Sequence, residues 1–392
     1  MTAAPSETNT PGRDRDPAGL SVIIAPDKFK GSLTASEVAR GIANGLRKSM
    51  PGIHTIELPV ADGGDGTLDA FLANGYTSRE IMVTGPDNDL QRSAIAIKDG
   101  TAVIETALTS GLAMRGNRTP NPLAATSRGV GDAILAALDA GARRIIIGLG
   151  GSACTDGGAG MLQALGVSLK DGSGAILYPG GVSLLDLEHV DLSGLDSRIH
   201  DTEIILATDV TNPLHGPNGA AAVYGPQKGA DNEDVKVLDW ALSHFASKVS
   251  TEVAHYPGAG AAGGIGYAAL AVLGATARPG IELVLEMLDF ETHLVGADLV
   301  ITGEGRLDDQ SFQGKAPTGV LAAAARHNIP AVAVCGSSLL TNEPRYPDFD
   351  AVHALTDIAP DLCTAISNAG PLLEELATQI TVHKLQPLTA AH

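Results

Sequence analysis

The chain has 392 residues, 44% hydrophobic and 18% charged, which allows a sizeable core and, by length, two domains. A formal net charge of −19 argues against a nucleic-acid or anionic-membrane surface, since both need a basic patch. Three widely spaced cysteines, Cys154, Cys335 and Cys363, make neither a disulfide framework nor a metal knuckle, and no apolar run reaches the ~18 residues of a membrane helix.

A cytoplasmic protein is therefore expected. Residues 1–19 are polar and rich in Pro and Gly, lack the apolar stretch of a signal peptide, and predict a disordered tail. Residues 22–26 read as a buried strand ending in Asp27-Lys28. A helix follows, its start marked by the capping-box spacing of Thr34 and Glu37 and its face by Val38, Ile42 and Leu46. A second strand, 54–60, runs into Ala61-Asp62-Gly63-Gly64-Asp65-Gly66-Thr67 and a helix over 68–74. Short strands are predicted over 81–83, 94–98 and 102–105, with Asp99-Gly100 as a hairpin turn. A helix over 129–142 feeds a strand over 143–149.

That strand opens the most distinctive stretch, 145–166. An apolar run stops at Gly150-Gly151, a polar segment Ser152-Ala153-Cys154-Thr155-Asp156 follows, and Gly157-Gly158 leads into a helical pattern. Such a loop can bring a phosphate or carboxylate close to bare backbone amides. Cys154 reads as a buried filler, because no His lies near it. Further on come a strand over 203–208 ending in Asp209, a helix over 233–253, and an Ala/Leu-rich helix to Leu273. A strand over 298–302, a polar loop over 303–316, a helix with Pro317 in its first turn, a strand over 331–335 and a helix over 371–381 complete the chain.

Strands alternating with helices predict an α/β fold with mostly parallel sheets. The first and last thirds share this style. They predict a discontinuous domain of 20–85 plus 290–385, with 86–289 inserted as a second α/β domain and 386–392 as a tail. Five strand ends carry carboxylates: Asp27, Asp62 with Asp65, Asp156, Asp209, and Glu304 with Asp308. Ligands bind beyond the carboxyl ends of strands in open α/β sheets, so a shared acidic, Mg-compatible cleft is expected. Lys28, Lys30, Lys228, Arg306 and Lys315 are the cations available there for an anionic ligand. The GxGxxG match over 258–263 lacks a preceding strand, which argues against a dinucleotide fold. Residues 305–315 do not have Walker spacing, and the histidines show no zinc spacing.

Five motifs together resemble the bacterial class I glycerate kinases, in order from about residue 20 to 380. They are Ala25 to Leu33, Ala61 to Thr67, Gly150 to Gly160, Asp209 to Leu214, and Thr302 to Asp308 with Gln310-Ser311, Gly314-Lys315 and Pro317 after it. The resemblance implies two α/β domains with the active site in the cleft between them. It implies ATP as co-substrate, Mg, and phosphorylation of D-glycerate, usually to 2-phosphoglycerate and in some glycerate kinases to the 3-phosphate. No nucleic acid or membrane is implied, and homo-oligomerisation is left open. A kinase for another small hydroxyacid and a non-catalytic effector-binding relative are the other readings of the same loops.

Phosphoryl transfer to a hydroxyl needs positioning, charge neutralisation and a group to accept the hydroxyl proton. Asp209 is the first choice of base, because it ends a strand and has no neighbouring cation; Asp62 is the second. Asp62 and Asp65 are the candidate Mg ligands, and Lys28 and Lys315 are assigned to phosphate or carboxylate charge. The wider binding set is Asp27, Ser32, Gly63, Gly64, Gly66, Gly150, Gly151, Ser152, Thr155, Asp156, Gly157, Gly158, Asn212, Lys228, Gly303, Glu304, Gly305, Arg306, Asp308 and Ser311. The Gly150–Gly158 and Gly303–Gly305 segments are expected to offer backbone amides.

Overall fold

A computed structural model describes residues 19–312, 314–340 and 349–386, apart from the side chain of Gln310. Nearly all of the two predicted tails lies outside the described residues. The described strands, in chain order, are β1 Ser21–Pro26, β2 His54–Glu57, β3 Thr77–Thr84, β4 Leu90–Lys98, β5 Thr101–Glu105, β6 Arg144–Gly148, β7 Ser168–Lys170, β8 His189–Asp191, β9 Glu203–Ala207, β10 Thr276–Arg278, β11 Leu299–Leu307, β12 Ala331–Ser338 and β13 Ala351–Ala354.

These form a mixed α/β architecture with mostly parallel sheets. One sheet has the order β13-β12-β11-β1-β2 and is parallel throughout. The other has the order β10-β9-β6-β5-β4-β3, parallel from β10 to β5 and antiparallel from β5 to β3. β7 and β8 make a small antiparallel ribbon. The central strands are unbroken apolar runs, Val22-Ile23-Ile24, Ile145-Ile146-Ile147 and Leu299-Val300-Ile301, all fully or almost fully buried. That pattern belongs to strands covered on both faces.

Three apolar layers result. One packs Val22, Ile24 and Ile301 against the helices Ala35–Ser49 and Ala369–Ile380. A second packs Ile145, Ile147 and Leu206 against the helices Arg128–Asp139, Asn232–Val249 and Ile265–Val272. The third is shared by both sheets: Ile23 and Val300 from one, and Val103, Ile146 and Ile205 from the other, meet on Phe71, Ile281, Val284, Val320 and Ala324. The helix Ala35–Ser49 starts at its predicted capping box, with Glu37 N donating to Thr34 Oγ1 at 3.2 Å and Thr34 N to Glu37 Oε2 at 2.8 Å.

Some expectations change. The expected loop from Gly303 is strand as far as Leu307, because β12 also continues and pairs Arg306 with Ser337 and Leu307 with Ser338. β3 begins at Thr77 and pairs with β4, so residues 77–84 belong to the six-stranded sheet rather than to the first segment's sheet. β2 stops at Glu57. Leu58 and Val60 still donate to Ile24 and Pro26, but Pro59 between them has no N–H to continue the ladder. The helix predicted over 233–253 ends at Val249.

Candidate active site

Carboxylates from both sheets come together at one place. Asp27 follows β1, Asp62 lies in the loop after β2, Glu304 lies in the C-terminal half of β11, and Asp209 follows β9. The loop carrying Asp62 is laid directly on the six-stranded sheet. Gly63 has φ +85°, and any Cβ there would sit 2.8 Å from the Ala207 carbonyl; one on Gly150 would sit 2.6 Å from Gly64 Cα. Only glycine allows backbones this close.

The charge of Asp62 bears on three other carboxyls at once. Burial pushes Asp27 up to about 7; Lys28 opposes this, and Asp62 and Glu304 add to it. Glu304 is also raised, first by burial, with Ser311 and Lys315 opposing and Asp308 and Asp62 adding. Its Oε1 is buried without a hydrogen-bond partner among the described residues, while Oε2 lies 3.8 Å from Lys315 Nζ. Asp209 is open to solvent, yet enough chain surrounds it for desolvation to lift its carboxyl to about 6, with a smaller contribution from Asp62. Gly280 N donates to Asp209 Oδ1 at 3.2 Å, and Gly314 passes close by. No cation pairs with Asp209 among the described residues.

Lys28 is held between the carboxylates of Asp27 and Asp65. Its Nζ donates to the Asp65 carbonyl and lies 3.9 Å from both Asp27 Oδ1 and Asp65 Oδ2. Its own amide donates to Asp27 Oδ1 at 2.6 Å. Beside it is a cavity of about 300 Å³ lined by Lys28, Lys30, Ser32, Glu37, Asp65 and Asp69 among others. The cleft therefore combines lysines reachable by an anion with carboxylates that repel one another. Among the described residues no group of three His, Cys, Asp or Glu is arranged to hold a metal ion on its own.

The Gly150–Gly158 loop is braced by buried polar groups. Asp156 is fully buried and accepts from Ser127 N at 2.8 Å, Ser127 Oγ at 2.9 Å, Gly158 N at 3.1 Å and Gly160 N at 3.2 Å. The amides of Ala153 and Gly157 go to Ser110 O and Gly263 O. Lys228, only 2% exposed, lies beneath the loop and donates to Ser152 Oγ at 3.0 Å and Cys154 O at 2.6 Å. Thr155 and Ser152 are buried as well. Burial raises the Cys154 thiol, which fits the inert filler expected of it. Gly303 and Gly305 fall within β11, and Gly303 pairs with Val334 of β12.

The other candidates lie further out. Ser32 Oγ donates to Ile366 O at 2.7 Å. Asn212 is held by Asn218 O and by the Tyr224 hydroxyl, both at 2.8 Å. Arg306 is exposed and 3.4 Å from Asp308; Ser311 is buried and accepts from Asp308 N at 2.9 Å. One carboxylate the sequence reading passed over is Glu105, at the end of β5. It is buried, and burial lifts it to about 7 against the pull of the Leu68 and Gly66 amides. The rule that picked out the other strand-end carboxylates applies to it equally.

No helix among the described residues is long and apolar enough to cross a membrane. The glycerate kinase family model matches residues 22–384. A glycerate kinase of Bacillus subtilis (strain 168) is 46% identical over 370 residues, covering 92% of this chain and 97% of that protein. A glycerate 2-kinase of Escherichia coli (strain K12) is 47% identical over 325 residues, covering 81% and 85%. A crystal structure assigned as glycerate kinase 2, from Salmonella typhimurium LT2, matches with a TM-score of 0.83 at 41% identity, covering 94% of this chain and 99% of that one.

Proposed function

The chain belongs to the glycerate kinase family, and from that premise we propose that it transfers the γ-phosphoryl group of ATP to the 2-hydroxyl of D-glycerate, giving ADP and 2-phosphoglycerate. The observation that carries this reading is the cleft itself, where Asp27, Lys28, Asp62, Asp209, Glu304 and Lys315 converge from both sheets. The 2-position is favoured by the Escherichia coli relative, which is a glycerate 2-kinase.

In this reading the substrate hydroxyl oxygen attacks the γ-phosphorus. The bond from phosphorus to the β-bridging oxygen breaks, its electrons leave with ADP, and the hydroxyl proton passes to Asp209. Asp209 suits this role because Gly280 N fixes one of its oxygens and no cation among the described residues pairs with it. Its raised carboxyl, at about 6, is ionised at neutral pH while still basic enough to take a proton. Lys28 and Lys315 meet the phosphate oxygens, each leaving a carboxylate that it touches only at 3.8–3.9 Å.

The orphaned Oε1 of Glu304 and the mutual repulsion of Asp27, Asp62 and Glu304 fit a divalent cation arriving with the nucleotide. Mg needs only one or two carboxylates plus phosphate oxygens. Asp62 would be the first ligand; Asp65 is less suited, because Lys28 already faces it. When bound, Mg would neutralise charge developing on the phosphoryl oxygens. We also propose a division into two units, one around each sheet, with the crossing between β2 and β3 and the return before β11. The test is ADP release measured with D-glycerate, L-glycerate and other small hydroxyacids. Preference for D-glycerate supports the reading, and equal or better turnover of another acid overturns it.

A further inference from the structure

We propose that Glu105 is a positioning residue that holds the acidic loop of the cleft in place across the two sheets. This rests on the reading of Asp62 as a site carboxylate. Glu105 ends β5 of the six-stranded sheet and is 1% exposed. Its Oε1 accepts from Gly66 N at 3.0 Å and its Oε2 from Leu68 N at 2.8 Å. Both amides lie at the start of the helix Thr67–Ala73, where backbone N–H groups have no partner within the helix. Gly66, the helix's own cap residue, has no side chain to serve them. A distant carboxylate therefore does the capping, with both oxygens engaged, which is what makes its burial tolerable.

The restraint passes from there to Asp62. Gly64 O accepts from Thr67 Oγ1 at 2.6 Å, and Gly64 N donates to Asp62 Oδ1 at 3.0 Å. Fixing residues 66–68 thus fixes Gly64, and Gly64 orients the Asp62 carboxylate. The loop follows β2 of the five-stranded sheet in sequence, yet it is anchored to the end of β5 and seated on Ala207 of β9. Asp62 is thereby carried on the same sheet as Asp209, while Asp27 and Glu304 are carried on the other. Alignment of base, Asp62 and the lysines then depends on a residue that touches no ligand.

The test compares Glu105→Gln and Glu105→Leu with the parent enzyme. Gln keeps one acceptor oxygen and turns an NH2 toward the second donor; Leu removes both acceptors. A misplaced catalytic group can cost about a hundredfold, so kcat should fall about tenfold in Glu105→Gln and about a hundredfold in Glu105→Leu. KM for D-glycerate should stay within about twofold, because only the transition-state alignment is disturbed. Amide hydrogen exchange at Gly66 and Leu68 should speed up in Glu105→Gln while exchange at Ile146 in β6 does not. A lower melting point with unchanged kcat per folded molecule would overturn the proposal, as would amides at Gly66 and Leu68 that exchange freely in the parent enzyme. If Glu105→Leu does not fold, Glu105→Gln and the exchange data still decide. If Asp62→Asn leaves turnover intact while exchange at Gly66 and Leu68 still responds to Glu105, the reading of Asp62 fails and the anchor itself is supported.

Discussion

Replacing Asp209 by Asn removes the proposed base and little else. Asn keeps an oxygen that can accept from Gly280 N, the one backbone bond Asp209 makes at 3.2 Å, and the side chain is open to solvent. The melting temperature should therefore be unchanged, and KM for both substrates nearly so. General-base catalysis contributes about 10²–10⁴ in rate, so kcat should fall by that factor, equivalent to roughly 3–5 kcal/mol of barrier. The pH profile is the sharper readout. With a carboxyl at about 6, kcat/KM in the parent enzyme should be level above neutrality and fall about tenfold per unit once pH is well below 6. Asp27, held at about 7, is the competing group, and it would place the limb one unit higher. Steady-state assays from about pH 5 to pH 9 distinguish the two. An Asn variant with near-parental kcat, or one that keeps an acid limb at the same midpoint, would refute the assignment.

Asp156→Ala should act on the scaffold, not the chemistry. It strands the Ser127, Gly158 and Gly160 amides in a buried site, and at about 1–3 kcal/mol per orphaned group the urea midpoint should drop sharply. Lys228→Met loses the bonds to Ser152 and Cys154 O and should cost about 1–3 kcal/mol, again read by urea unfolding. Because its ammonium is buried below the loop, KM for ATP should move less than about threefold; a large KM rise with no loss of stability would put this lysine on the ligand. Stability without ligand should also depend on pH. Asp27 and Glu105 both titrate near 7 in the folded chain, above their ordinary values of 3.8 and 4.5. The folded state thus binds more protons than the unfolded state between those limits. Their contribution is complete below the ordinary values and is lost as pH rises through about 7. The urea midpoint should fall from about pH 4.5 to about pH 7 and level off above that, and Asp27→Asn should flatten the slope.

Much of the site was legible because its loops follow short apolar strands, and the rule about strand ends needs no tertiary information. That rule singles out Asp27, Asp62, Asp209 and Glu304 as candidates. What sequence could not supply is which way a side chain turns. Lys228 and Asp156 look like ligand groups in a list of residues, yet both are folded under the loop they support. Glu105 acts on amides 37 and 39 residues away, a relation that no local pattern records. The stretch Gly303–Leu307 carries loop-like composition but is strand, because β12 offers a parallel neighbour for its backbone. Strands of three or four residues, such as β7, β8, β10 and β13, are too short to show alternation and are set by their partners.

The central claim is tested most directly by phosphorus NMR of one reaction mixture containing the purified chain, D-glycerate, ATP and Mg. The account predicts loss of the ATP γ-resonance with matching growth of ADP and of a phosphomonoester resonance split by the single proton on C2, as 2-phosphoglycerate requires. Release of inorganic phosphate alone, or no consumption of ATP, would contradict it. A resonance split by two protons on C3 would keep the phosphoryl transfer and overturn the position.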